Sequence, residues 1–232
     1  MKRILEPELM LDEEQAKAYA LADFSVPHQM FVDLFRKKFG PVLTGLVLDL
    51  GCGPADISVR FAKAYPHCTI IGLDGSPAML KYGQRRLEKE GLTDRIKLTL
   101  GKIPEVDLPE KSFDAVIVNS LLHHLPEPLI MWEIIKKVAK PKAPVFVMDL
   151  LRPATKEEAL NIVEKYARNE PDILKRDFYY SLLAGFRPEE IEEQLRQAAL
   201  SYWTFEIITD RHFIVYGRFL AVSQKRLTSG SL

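Results

Sequence analysis

The run Val47-Leu48-Asp49-Leu50-Gly51-Cys52-Gly53-Pro54-Ala55 decides the fold. Residues 46–50 are short, mostly apolar and stop at glycines, the pattern of a strand buried on both faces of a parallel sheet. A helical pattern opens at Pro54. Glycines at such a strand-to-helix turn let backbone and ligand approach where a side chain would collide. In open α/β sheets ligands bind at the carboxyl ends of the strands, so this turn is the expected floor of a site. A G-x-G by itself occurs in many tight turns, and the reading therefore rests on what surrounds it.

Outward from this run, strand and helix alternate through residue 150. Residues 69–73 read as the next strand. Ser76 caps a helix with Pro77 at its first position and Gly91 closing it. Strands follow at 96–100, 113–118 and 144–150, with a helix over 129–139 before the last. Such alternation implies a parallel sheet covered by helices on both faces. Residues 1–40 read as two helices, the first opened by an Asp12/Gln15 capping box, the second following Pro27 and stopped at Gly40-Pro41. After 150 the rhythm changes. Helices are predicted at about 155–168 (opened by a Thr155/Glu158 capping box), 172–184 and 188–199. Two strands near 201–208 and 211–220, divided by Thr209-Asp210, form an antiparallel C-terminal hairpin at the sheet edge. The organisation predicted is a helical cover over 1–44, one α/β domain over 45–224 with a helical insertion at 151–200, and a frayed tail over 225–232.

Composition narrows the function classes. Of 232 residues, 47% are hydrophobic and 28% charged, values of an ordinary globular chain. Lys plus Arg equals Asp plus Glu, so there is no electrostatic footprint for nucleic acid or an anionic membrane. No apolar run is long enough to span a bilayer. Two cysteines, Cys52 and Cys68, are too few for a disulfide framework. The N-terminus turns acidic before any apolar run, unlike a signal peptide, and a cytoplasmic location is expected.

Two features define the ligand. The third glycine of G-x-G-x-x-G is absent, since position 56 is aspartate, and Asp49 stands just before the turn. A pyrophosphate is disfavoured beside that carboxylate; a cation is favoured. The next strand ends in Gly72-Leu73-Asp74, where a carboxylate accepts from ribose hydroxyls. A ligand with a ribose, no pyrophosphate and positive charge fits S-adenosylmethionine.

Val47–Ala55 and Gly72–Leu80 resemble the first two motifs of class I S-adenosylmethionine-dependent methyltransferases. The run 113–119 with Leu122-His123-His124-Leu125 is similar to that family's fourth strand and following loop, and Pro141–Asp149 to its fifth strand. The resemblance covers roughly 45–150, and the nearest branch is the small-molecule enzymes related to quinone-biosynthesis methyltransferases. It implies a Rossmann-like doubly wound sheet, mostly parallel, and a small-molecule acceptor. It also implies that the Gly51, Cys52 and Gly53 backbone approaches the methionine part of the cofactor and that Asp49 faces the ammonium group. Asp74 would take the ribose hydroxyls, with Gly75 and Ser76 flanking the adenosine. Lys102 and Ile103 would border the adenine, and Asn119 would lie beside the methyl donor. Where the family often has an acidic residue after the third motif's glycine, this chain has Gly101-Lys102.

The remaining candidates have competing readings. His123 and His124, after the fourth strand, are the first candidates for a general base, ahead of Asp177 and His212. Being consecutive, the two histidines are expected to point to different sides, one packing and one facing the cavity, so no shared metal is expected. Tyr179 and Tyr180 are candidate acceptor contacts or core. Tyr19, Phe24 and His28 either form a lid over the acceptor or simply pack on the sheet. Cys52 has no base nearby and reads as a small loop residue. Glu189 and Glu190 read as helix-start charge. The rival function classes are a nicotinamide-dependent oxidoreductase, against which Asp49 and the missing glycine count, and a non-catalytic cofactor-binding module.

Overall fold

The computed structural model describes residues 1–6 and 12–219. The tail expected over 225–232 and the last residue of the strand expected to 220 lie outside the described residues. Five parallel strands, β1 (Gly45–Leu50), β2 (Cys68–Asp74), β3 (Ile96–Leu100), β4 (Ala115–Asn119) and β5 (Pro144–Leu150), join β6 (Thr204–Ile207) and β7 (His212–Arg218) in one sheet of order β3-β2-β1-β4-β5-β7-β6. β7 is antiparallel to β5 and to β6, so the terminal hairpin closes one edge. Strand order reverses between β1 and β4, which places a crevice above their carboxyl ends. All seven residues of β5 are buried, as continuous apolar runs demand of a central strand.

Helices cover both faces. α2 (Ser25–Phe39), α3 (Asp56–Ala64) and α4 (Pro77–Glu90) lie on one, where Phe31, Phe35, Phe61 and Leu87 pack with Val47, Ile117 and Phe146. α5 (Leu129–Val138) and α8 (Pro188–Gln197) lie on the other, where Trp132, Ile135, Ile191 and Leu195 pack with Leu48, Val116 and Val147. Of the insertion predicted over 151–200, α8 is therefore a sheet-face helix. Only α6 (Lys156–Ala167) and α7 (Asp172–Ala184) form a separate pair, joined by Ile162, Val163 and Leu182.

The N-terminal cover divides likewise. α2 is part of the sheet layer, whereas α1 (Glu13–Leu21) rests on α4 through Ala16, Ala78 and Met79. Asp12 accepts from the Glu14 and Gln15 amides as an N-cap should, but Gln15 does not complete the box. Its amide donates instead to Asp177 Oδ2 at 2.8 Å, tying α1 to α7. Ser76 caps α4 and Thr155 caps α6 by accepting from Glu158 N–H, as predicted, but Glu158 does not complete the box: its carboxylate accepts from Ala154 N–H instead of Thr155 N–H.

Candidate active site

The β1–α3 turn is built by backbone constraints. Gly51 has φ of +76°, and a Cβ there would meet Leu121 at 3.0 Å. Gly51 and Cys52 N–H both donate to Leu73 O, clamping the turn to the end of β2. Gly53, φ +52°, donates its N–H to Asp74 Oδ2 at 2.7 Å, and Ser76 N–H donates to Asp74 Oδ1 at 2.8 Å. Asp74 is thus fixed between the two turns. The Gly75 amide bonds the same carboxylate, which still has capacity for a further donor. Gly101 N–H donates to Asp74 O, and Lys102 lies against Gly75, which brings those expected adenosine neighbours together. Ile103 packs against the core beneath, while Lys102 is exposed.

Asp49 is only 2% exposed and accepts from Ser58 Oγ of α3 at 2.5 Å. Burial, helped by the nearby Asp74 carboxylate, pushes it up to about 7 against the Ser58 bond. Burial also raises Asp74, although backbone amides bond its carboxylate. Burial drives the Cys52 thiol well above its ordinary value, so it is no nucleophile. Asn119 closes β4, followed by Ser120 in the left-handed region at φ +54°, a strained position of the kind concentrated at functional sites. Asn119 Nδ2 donates to Ser120 Oγ, whereas its Oδ1 is buried without a hydrogen-bond partner among the described residues.

Beyond Asn119 a 3-10 turn, Leu122–His124, sits over the end of β5. Asp149, fully buried, accepts from Leu122 N–H at 2.7 Å, Leu150 N–H at 2.7 Å and His123 Nδ1 at 2.5 Å. The first residues of the chain strap this turn. Arg3 Nη2 donates to His123 O and Leu125 O, its Nε to Ala184 O, and its guanidinium lies 4.1 Å above the Phe186 ring centre. Glu6 Oε2 lies 2.6 Å from His124 Nδ1, and Glu6 Oε1 lies 3.7 Å from His123 Nε2.

This corrects the expectation that the histidines diverge. In a 3-10 turn neighbouring side chains are 120° apart, not opposed as in a strand. The two rings stand 4.1 Å apart, and both meet Glu6. Asp177, expected as an alternative base, is committed to Gln15 and Arg176. His212 is buried, pushed down to about 3 chiefly by that burial, and bonded to Thr209. His28 Nδ1 lies 2.7 Å from Asp56 Oδ2. Asp56 also binds Arg60 and Arg86, so His28 serves a junction of α2, α3 and α4. Tyr19 and Phe24 stack at 4.7 Å and line, with His28, Pro54 and Asp56, a cavity of about 100 Å³. Burial, with Asp56, Asp74, Glu6 and Asp149 adding to it, holds the Tyr19 phenol well above its ordinary value. Tyr179 and Tyr180 pack against the α6–α7 pair, half-buried. Glu190, read as helix-start charge, bonds the buried Arg152 at 2.5 Å.

Arg3, Glu6 and Asp149 escaped the sequence reading. Asp149 had a signal, being the one charged residue in the apolar run 144–150. Arg3 and Glu6 had none, because their partners lie more than a hundred residues away.

The family described as methyltransferase domain matches residues 45–184, and the chain belongs to it. Its sequence is similar in part to quinone methyltransferases, and its fold to solved methyltransferases that depend on S-adenosylmethionine as cofactor. An uncharacterised methyltransferase of Schizosaccharomyces pombe is 34% identical over 103 residues, which is 42% of this chain and 37% of the relative. A demethylmenaquinone methyltransferase of Geobacillus kaustophilus is 31% identical over 107 residues, 46% of this chain and 45% of the relative. The chain thus spans less than half the length of these curated relatives. A solved S-adenosylmethionine-dependent methyltransferase of Aquifex aeolicus shares the fold with a TM-score of 0.66 at 20% identity, covering 89% of this chain and 98% of its own.

The residues present fit that cofactor. Asp74 has capacity for a further donor, the space a Cβ of Gly53 would point into is open to 4 Å, and Asn119 Oδ1 is buried without a hydrogen-bond partner among the described residues.

Proposed function

We propose that this chain transfers the methyl group of S-adenosylmethionine to a small-molecule acceptor by in-line displacement. The observation that carries the reading is the Asp74 clamp. One carboxylate is held by the amides of both the β1 and the β2 turns, at the height where ribose hydroxyls would complete its bonding. Bound there, the cofactor supplies an electrophilic methyl on a sulfonium. Asp74 holds its ribose, Asp49 and the Gly51–Gly53 backbone its amino-acid end, and Asn119 flanks the methyl. The protein's share of catalysis is alignment and exclusion of water, supplied by α1, α7 and the N-terminal strap over the strand ends. That covering, and relatives named for demethylmenaquinone, support a small acceptor on the side of His123, His124, Tyr179 and Tyr180. The free buried thiols of Cys52 and Cys68 suit a reducing, cytoplasmic setting.

Purified chain incubated with methyl-labelled S-adenosylmethionine and a panel of quinols, phenols, amines and thiols tests the proposal. Label in a low-molecular-weight product is expected. Label confined to macromolecules would overturn the acceptor class, and no binding of S-adenosylhomocysteine would overturn the reading itself.

A further inference from the structure

One cluster outside the cofactor turns joins three ligand-type side chains among the described residues: Glu6, His123 and His124, with one ligand atom of each within 4.8 Å of the others. Three observations distinguish it from an ordinary ion pair. First, Glu6 Oε1 and His124 Nδ1 are both buried without a hydrogen-bond partner among the described residues. His124 Nδ1 meets Glu6 Oε2 at 2.6 Å, so a nitrogen and an oxygen ligand atom already face each other. Second, the His123 tautomer is set from behind. Its Nδ1 bonds Asp149 at 2.5 Å, which turns Nε2 toward Glu6, where an ion would displace any proton that nitrogen carries. A carboxylate behind an imidazole is the outer-shell arrangement that orients metal-ligating histidines. Third, the ligands are anchored. Arg3 holds the 3-10 turn through the carbonyls of His123 and Leu125. Ile4 N–H donates to Leu183 O beside Glu6, fixing the strap to α7.

We propose that Glu6, His123 Nε2 and His124 Nδ1 bind one divalent transition-metal ion. Two imidazoles and a carboxylate select a borderline ion such as Zn²⁺, Co²⁺ or Ni²⁺ over Mg²⁺ or Ca²⁺, which prefer oxygen ligands. Metal–ligand distances of about 2.0–2.1 Å put tetrahedral ligands about 3.3 Å apart. The separations to the two Glu6 oxygens, 2.6 and 3.7 Å, straddle that value, and all three ligand atoms lie within 4.8 Å of one another, so side-chain adjustment alone can close the site. Three protein ligands leave a position open, the pattern of an exchangeable rather than a sealed site. Because Glu6 belongs to the N-terminal strap, the ion would also pin that strap across the strand ends. The site stands or falls independently of methyl transfer.

The full chain, stripped with chelator and re-equilibrated with Zn²⁺, should take up one ion per molecule by elemental analysis and calorimetry. Co²⁺ should give the visible ligand-field absorption of a low-coordinate site. Glu6→Gln and His124→Gln should each weaken binding by tenfold or more while retaining the wild-type circular dichroism. Asp149→Asn, measured where the variant is still folded, should weaken it about 10–100-fold by releasing the His123 ring. Should a histidine variant misfold, Glu6→Gln alone decides, since its strap lies outside the sheet. Metal should also slow proteolysis of the N-terminal segment in the wild type and not in Glu6→Gln. Absence of stoichiometric uptake by the wild type, or uptake undiminished in folded Glu6→Gln, would overturn the site and leave an ion pair between Glu6 and His124.

Discussion

Replacing Asp49 with asparagine should uncouple cofactor binding from proton release. Burial lifts this carboxyl from 3.8 to about 7, with Asp74 adding to the lift and Ser58 opposing it. Such a change corresponds to roughly 4 kcal/mol between its two charge states. Its folded value lies above the unfolded one, so the folded protein holds an extra proton between about pH 4 and pH 7. That contribution to stability is full below about pH 4 and is lost as pH rises through 7. A ligand ammonium facing Asp49 favours the ionised form, and binding must expel the proton. Half of the molecules are protonated at pH 7, giving ~0.5 proton released there and ~0.9 at pH 6. The affinity for S-adenosylhomocysteine should therefore rise about fivefold from pH 6 to 7 and less than about twofold from 7 to 8. Calorimetry in buffers of different ionisation enthalpy counts these protons directly. Asp49→Asn should release fewer by that number at each pH. The same proton count in both proteins would show that Asp49 serves only Ser58 and the turn.

Asp74→Ala should weaken S-adenosylhomocysteine at least about tenfold, since each charge-assisted bond is worth ~1.5–3 kcal/mol, and unchanged affinity in a folded variant by calorimetry would remove the assignment. Asp149→Asn turns an amide NH₂ toward either Leu122 N–H or the Leu150 and His123 donors, so urea unfolding should register a loss of about 3–5 kcal/mol, and a loss below ~1 kcal/mol would refute the anchoring role. Burial acts to raise Asp56, but His28, Arg60 and Arg86 outweigh it and hold the carboxyl well below its ordinary range. A depressed folded pKa stabilises above the unfolded value near 4 and fails as pH falls below it, so Asp56→Asn should be less stable at pH 7, with the gap to wild type narrowing under about pH 4 in unfolding titrations.

What the sequence makes legible here is what the chain does locally. The turn at 51–53 and the Asp74 clamp are made of segments that pair in neighbouring parallel strands, so their spacing carries the geometry. N-caps such as Ser76 and Thr155 act within four residues, so local spacing alone announces them. The Asp12/Gln15 box shows the limit, because a partner across space, Asp177, takes the glutamine that local reasoning keeps at home. The roof of the site obeys only tertiary closure. Residues 1–6 have no helix or strand period, and nothing in them announces that Arg3 will reach Leu125 or that Glu6 will reach His124. The histidine pair misled for a different reason, since strand-like alternation was applied to a 3-10 turn.

Charge at the carboxyl end of the sheet separates the surviving reading from a dinucleotide enzyme more firmly than the missing glycine does. Asp49 and Asp74 are both pushed upward by burial, so ionising them in the folded protein is costly unless a cation sits beside them. A sulfonium and an ammonium relieve that cost. A pyrophosphate would add two negative charges beside them. It would also meet Asp56 in the first turn of α3, where a dinucleotide-binding helix presents bare amides to phosphate. The nearby cations cannot compensate. Arg60, Arg86 and His28 are already spent on Asp56, at 2.6–2.8 Å. Position 56 therefore does more than lack a glycine: it converts the start of α3 from an anion site into a junction of three helices, and leaves the turn above it to a positively charged ligand.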